Sequence, residues 1–194
     1  MDRPSIKGTA FVSAAGDLHE LLATGRLSRE QLETRLRPED VEIFDSKILP
    51  GDWYPIDSYG RILDLLGEMS GGGERYHIER GRKAAERLLR SGIYRQLDKA
   101  IERRSEKDKA SLISIMLTVG RTLYNFGAWE MLRDASNDKL LRFELQQMAA
   151  LPENARITIQ GFVEWATEHI VGGRTRVESR RVSADRILFD IHLD

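Results

Sequence analysis

Apolar residues along this chain change their spacing once. Up to about residue 123 they recur at intervals of three and four, as on helices buried along one side; beyond Gly127 two segments alternate with period two, as on strands. In the first part Ile62, Leu65, Leu66 and Met69 share one face of a helix expected over residues 56–69. Ala84, Ala85, Leu88 and Leu89 mark a second helix over 75–89, which Ser91-Gly92 bends or breaks before Ile93, Tyr94, Leu97 and Ile101 resume the pattern. Short helices are expected over 18–23 and 29–36, the second opened by Ser28 and Gln31 at capping-box spacing, with Gly25 as a stop between them. Pro38 starts a further turn through Phe44, and Ala10-Phe11-Val12 reads as a short strand or extended segment. Residues 103–109 are charged and solvated, whereas 112–123 are apolar on nearly all sides, as in a helix enclosed by its neighbours.

Behind this helical part, residues 129–133 and the alternating Leu141, Phe143 and Leu145 flank a Ser136-Asn137-Asp138 turn and form a hairpin. Ile159, Phe162, Val163, Ala166 and Ile170 return to helical spacing until Gly172-Gly173. Residues 174–182 and the series Ile187, Phe189, Ile191, Leu193 then pair across Ala184-Asp185. The expected fold is α+β: a helical N-terminal two thirds packed on a four-stranded antiparallel sheet formed by two C-terminal hairpins, ββαββ. Residues 1–6 read as a polar tail and 7–194 as a single domain. Between the prolines of Ile48-Leu49-Pro50-Gly51-Asp52-Trp53-Tyr54-Pro55 the chain makes a rigid corner, whose aromatics are expected to turn inward.

Composition narrows the function. Thirty basic against 31 acidic residues leave a net charge of −1, so no global field attracts nucleic acid or an anionic membrane. Cysteine is absent, which removes disulfides, thiolate nucleophiles and cysteine-based metal sites. No signal peptide or membrane-spanning run is visible, so a cytoplasmic protein is expected.

Candidate chemistry is sparse. The four histidines, His19, His77, His169 and His192, stand in no metal-ligand spacing. His77, next to Tyr76 on a mid-chain helix, could ligate a heme, or be an ordinary surface or core histidine. Asp52 and Asp57 flank the corner and read as helix caps. Glu164 and Glu168 share a helix face without a third partner, too little for general acid–base work. Ser70-Gly71-Gly72-Gly73 lies between helices and lacks the strand and the Lys-Ser/Thr ending of a phosphate loop, so it reads as a connector. Arg174, Arg176 and Arg180 alternate onto one strand face, either as a patch for an anion or acidic partner or as a charged edge that blunts aggregation.

Lys7-Gly8-Thr9-Ala10-Phe11, the Leu49-Pro50 to Pro55 corner, Gly81-Arg82-Lys83-Ala84-Ala85 and Gly92-Ile93-Tyr94-Arg95 together resemble a paralogous family of uncharacterised proteins abundant in myxobacteria. That family is similar in architecture to the heme–nitric-oxide-binding-like and four-vinyl-reductase-like domains, and more distantly to the small subunits of the TRAPP vesicle-tethering complex. The resemblance implies helices in front, ββαββ behind, and a non-catalytic, ligand-sensing or signalling domain. It further implies a pocket between helices and sheet, lined by Trp53, Tyr54, Ile115, Val119, Tyr124 and Phe143, which suits a small hydrophobic molecule; the alternative is that these residues simply fill the core. A homodimeric interaction module without ligand is the alternative implied by the tethering relatives. The Tyr-x-Ser-x-Arg motif of the heme-binding relatives has no equivalent in Leu132-Arg133-Asp134-Ala135-Ser136, which speaks against heme. The cysteines that often end four-vinyl-reductase-like domains are missing too, so no metal or other cofactor is expected.

Overall fold

In a computed structural model of the chain, the residues described are 3–90, 118, 120–132 and 139–193. The N-terminal part comprises β1 (Ser5–Lys7), α1 (Gly8–Ala23), α2 (Arg29–Arg35), α3 (Pro38–Asp45), β2 (Trp53–Pro55), α4 (Ile56–Ser70) and α5 (Gly73–Arg90). It is followed by β3 (Ala128–Leu132), β4 (Leu140–Gln146), α6 (Glu153–Val171), β5 (Thr175–Ser183) and β6 (Arg186–Leu193). The four C-terminal strands form one antiparallel sheet in the order β3-β4-β6-β5. The α+β fold expected from the change of spacing is the fold observed.

Several local expectations are met by the physics that suggested them. The Ser28 hydroxyl accepts from the Gln31 amide at 3.1 Å while the Ser28 amide donates to Gln31 Oε1 at 2.8 Å, closing the capping box of α2. Alternation in the sheet places Phe143, Leu145, Ile187, Phe189 and Ile191 in the core, all nearly inaccessible. Gly172 ends α6 in the left-handed conformation, φ 72°.

Others change at the N-terminus. Ala10-Phe11-Val12, expected as a short strand or extended segment, lies inside α1, whose inward face is Phe11, Ala14, Ala15, Leu18 and Leu21. That spacing is helical once Phe11 is counted with the leucines downstream. The first short helix, expected over 18–23, is the end of this 16-residue helix. The strand comes earlier: residues 5–7 pair antiparallel with 53–55, so Ser5 and Ile6, placed in the polar tail by the sequence reading, are buried. Arg3 joins them through a bridge to Asp57 at 3.0 Å.

The corner also divides its aromatics. Neighbouring residues on a strand point to opposite faces. Tyr54 therefore goes in, 5.1 Å from the Phe11 ring, where its hydroxyl accepts from the Leu49 amide at 2.9 Å. Trp53 turns out, 42% exposed, with the Lys7 ammonium 3.9 Å from its ring centroid.

Among the described helices, α5 and α6 pack most closely. A side chain at Gly81 would overlap the Thr158 carbonyl oxygen, and one at Gly161 the Ile78 carbonyl oxygen, so glycine at both positions lets the two backbones touch. Arg82 on α5 clamps Glu164 and Glu168 on α6 at 2.9 and 2.5 Å. The two carboxylates weighed for catalysis are thus engaged in helix pairing.

The face of the sheet turned away from this core is ionic. Arg142 and Arg180 bracket the buried Asp190 at 2.5 and 2.7 Å, and Arg186 reaches the buried Glu144 at 2.5 Å. Burial alone would raise the Asp190 carboxyl, but the two guanidinium groups outweigh it and hold the carboxyl below its ordinary value.

Candidate functional site

A cavity of about 510 Å³ lies between α1, α4, α5 and α6 and the β3–β4 side of the sheet. The volume falls within the range typical of small-molecule sites, roughly 300–1,000 Å³. Its sheet wall is Trp129 of β3 and Phe143 of β4, with rings stacked at 6.1 Å and 8°. Phe143 in turn stacks on Phe189 at 4.5 Å, which fixes the wall from behind. Helix α6 adds Ile159, Phe162 and Val163, and the segment ahead of β3 adds Leu123 and Tyr124. Gly120 presses on the Trp129 indole so closely that any side chain there would strike the ring.

The opposite wall carries the polar groups. Helix α1 contributes Thr9, Ala10, Val12 and Ser13, and α5 contributes Arg80, Ala84, Arg87 and Leu88. Arg80 is 5% exposed and contacts the Asp17 carboxylate, with Tyr76 Oη at 3.5 Å and Ser13 Oγ at 3.3 Å. Burial and the nearby Arg87 cation disfavour charge on Arg80; the Asp17 carboxylate opposes both. Arg87 donates to the same Ser13 oxygen at 2.6 Å. Tyr59 and Tyr124 line the cavity, and burial pushes both phenols well above their ordinary value.

Of the six residues expected to line a pocket, Tyr124 and Phe143 do so. Trp53 faces solvent, and Tyr54 is half-buried behind Phe11, outside the lining, because the strand register sends the pair in opposite directions. Ile115 and Val119 lie outside the described residues. Arg80 and Arg87 were missed, although with Ala84 and Leu88 they fall at i, i+4, i+7 and i+8 on one helix face, a spacing the sequence displays.

The arginines of β5 stand on the outer edge of the sheet. Arg176 is 70% exposed with Glu178 at 3.3 Å, Arg180 holds Asp190, and Arg174 precedes the strand. Of the flanking aspartates, Asp57 sits in the first turn of α4 and bonds Arg3 and Arg61.

No family model matches the sequence, and a search of curated proteins finds no match. The fold is nevertheless that of H-NOX domains. An Fe(II) unliganded H-NOX protein from K. algicida superimposes with TM-score 0.62 at 13% identity, covering 97% of this chain and 97% of that one. A mutant H-NOX from T. tengcongensis gives TM-score 0.58 at 13% identity over 96% and 97% of the two chains. A protein in which heme redox potential is modulated through porphyrin distortion gives 0.58 and 13% over 97% and 100%. At this identity the likeness establishes the architecture alone.

Heme, the group these neighbours suggest, can be tested against the lining. All four histidines lie among the described residues, and none borders the cavity. His19 stacks on Phe44, His169 on Trp165, and His192 is on β6. His77 is buried against Gly67 of α4, with Nδ1 lacking a partner. An imidazole-ligated heme does not fit these residues. The two phenols are poor substitutes, since a phenolate ligand would have to form where burial disfavours it. No group of three metal-ligating side chains occurs among the described residues, and no described helix is long and apolar enough to cross a membrane.

Proposed function

We propose that this chain is a non-catalytic regulatory domain that binds a small hydrophobic molecule in the cavity between its helices and its sheet. The observation that carries the reading is the wall of Leu123, Trp129, Phe143, Ile159, Phe162 and Val163 around about 510 Å³ of space. A protein interior is ordinarily close-packed, and a void of this size in the core forfeits contacts that a ligand restores. Among the described residues the lining contains no histidine and no carboxylate, which supports binding over turnover. Occupancy would be signalled through α1 and α5, whose side chains meet at Ser13 across the cavity's polar wall.

The H-NOX neighbours favour a second reading, a heme-based sensor. Native mass spectrometry of protein purified from its own host, compared with the denatured mass and with the absorption spectrum, tests both. Added mass that is lost on denaturation, without a Soret band, is the expected result. The mass and Soret band of heme would replace the reading with the heme-based one. A dimer without added mass would favour the interaction module.

A further inference from the structure

The cavity has a charged corner whose chemistry names its ligand more narrowly. Arg80 and Arg87, seven residues apart on α5, face the same way and converge on one hydroxyl, Ser13 Oγ, at 3.3 and 2.6 Å. The Asp17 carboxylate engages Arg80. Among the described residues, the two guanidinium groups and one carboxylate of this corner leave a single positive charge beside an apolar cavity. Arg80 is locked in place, being buried and bound on several sides. Arg87 is exposed, and Ser13 is its hydrogen-bond partner among the described residues, so most of its donor fork is free to turn toward a ligand. Tyr59, on the cavity wall, lies within the field of the Arg87 cation.

The geometry points to an amphipathic monoanion as the ligand: an apolar body against Leu123, Trp129, Phe143 and Phe162, and a carboxylate head on Arg87 beside Ser13. This inference rests on the reading of the cavity as a hydrophobic binding site. Sign and size of the charge decide the head. Among the described residues a cationic head would meet two arginines and no lining carboxylate, and a doubly charged phosphate would exceed the one net positive charge that these residues give the corner. A neutral apolar molecule would give Arg87 no new partner. Exposure follows the same polarity, since Val12 and Arg87 at the polar wall are open to solvent while Phe143 and Val163 are only 2% exposed.

Calorimetric titration of the intact protein with decanoate and with 1-decanol separates the parts of this inference. Decanoate is expected to bind about tenfold more tightly, the worth of one charge-assisted hydrogen bond at a half-solvated site. Arg87→Leu is expected to abolish that advantage, so that the two probes bind with equal affinity; Arg87→Lys, which keeps charge but loses the planar fork, should retain part of it. Equal affinity for the two probes would overturn the anionic head and leave the cavity reading standing. An advantage that survives Arg87→Leu would likewise overturn the assignment. Binding of neither probe would remove the cavity reading and the head together. The comparison of probes on the unaltered protein decides the matter even where a variant fails to fold.

Discussion

Arg61 of α4 grips the fully buried carboxylate of Asp40 through two hydrogen bonds of 2.6 Å, Nε to Oδ2 and Nη2 to Oδ1. Asp40 also accepts from the Arg37 amide at 3.0 Å, so one carboxylate caps α3 and ties it to α4. Removing the guanidinium strands a buried charge, which costs far more than the pair contributes over a neutral replacement. Arg61→Met is expected to lower the unfolding free energy by about 3 kcal/mol, read from urea denaturation at pH 7. A change under about 0.5 kcal/mol, the range of ordinary surface substitutions, would show that the bond is not formed in solution.

Acid should weaken the fold in two stages. Burial lowers His77 below its ordinary 6.5, although Asp64 and Glu74 favour the cation. The unfolded chain therefore takes up this proton first, and stability is lost as pH falls below about 6.5, by at most about 1.4 kcal/mol per pH unit. Asp40 titrates lower: burial would raise it, but Arg61, Ser58 and the Arg37 amide together hold it below 3.8. Its contribution is complete above about pH 4 and disappears as pH drops through the depressed folded value. Unfolding curves from pH 8 to 3 should show both stages, and His77→Phe should flatten the first alone.

The α5–α6 contact tolerates no Cβ. Gly81→Ala is expected to force the helices apart and cost on the order of 2–3 kcal/mol. Gly16, exposed within α1 with nothing near its would-be Cβ, provides the contrast. There Gly16→Ala should stabilise by about 0.5–1 kcal/mol through helix propensity and reduced unfolded-state entropy. Thermal unfolding of the two variants should move in opposite directions.

Filling the cavity should block it without harming the fold. Ala84 lines it from α5 and has open space in front of it. Ala84→Phe is expected to abolish decanoate and 1-decanol binding while the melting temperature stays level or rises. Phe143→Ala, which removes the stacked wall itself, should instead destabilise by about 3–5 kcal/mol. Melting curves and titrations together distinguish the two outcomes.

Local signals were legible wherever a short stretch of chain meets its own needs. The capping box at Ser28 and Gln31, the stop at Gly172 and the alternation of Ile187, Phe189 and Ile191 depend on neighbours a few residues away, and each stands where the spacing put it. The change from helical to alternating spacing thereby determined the α+β class and the four-stranded C-terminal sheet. What lay beyond the sequence was set, in each of the following cases, by a partner distant in the chain. Phe11 reads as a strand residue until the rest of the α1 stripe is seen to share its core. Trp53 and Tyr54 look alike until pairing with residues 5–7 assigns them opposite faces. Arg80 and Arg87 share a helix face in the sequence, but only the packing of α5 on α1 brings them to Ser13, 67 and 74 residues away, at the edge of an apolar space. Periodicity is a property of one segment, whereas a cavity is what several segments leave unfilled, and its chemistry is decided only when they meet.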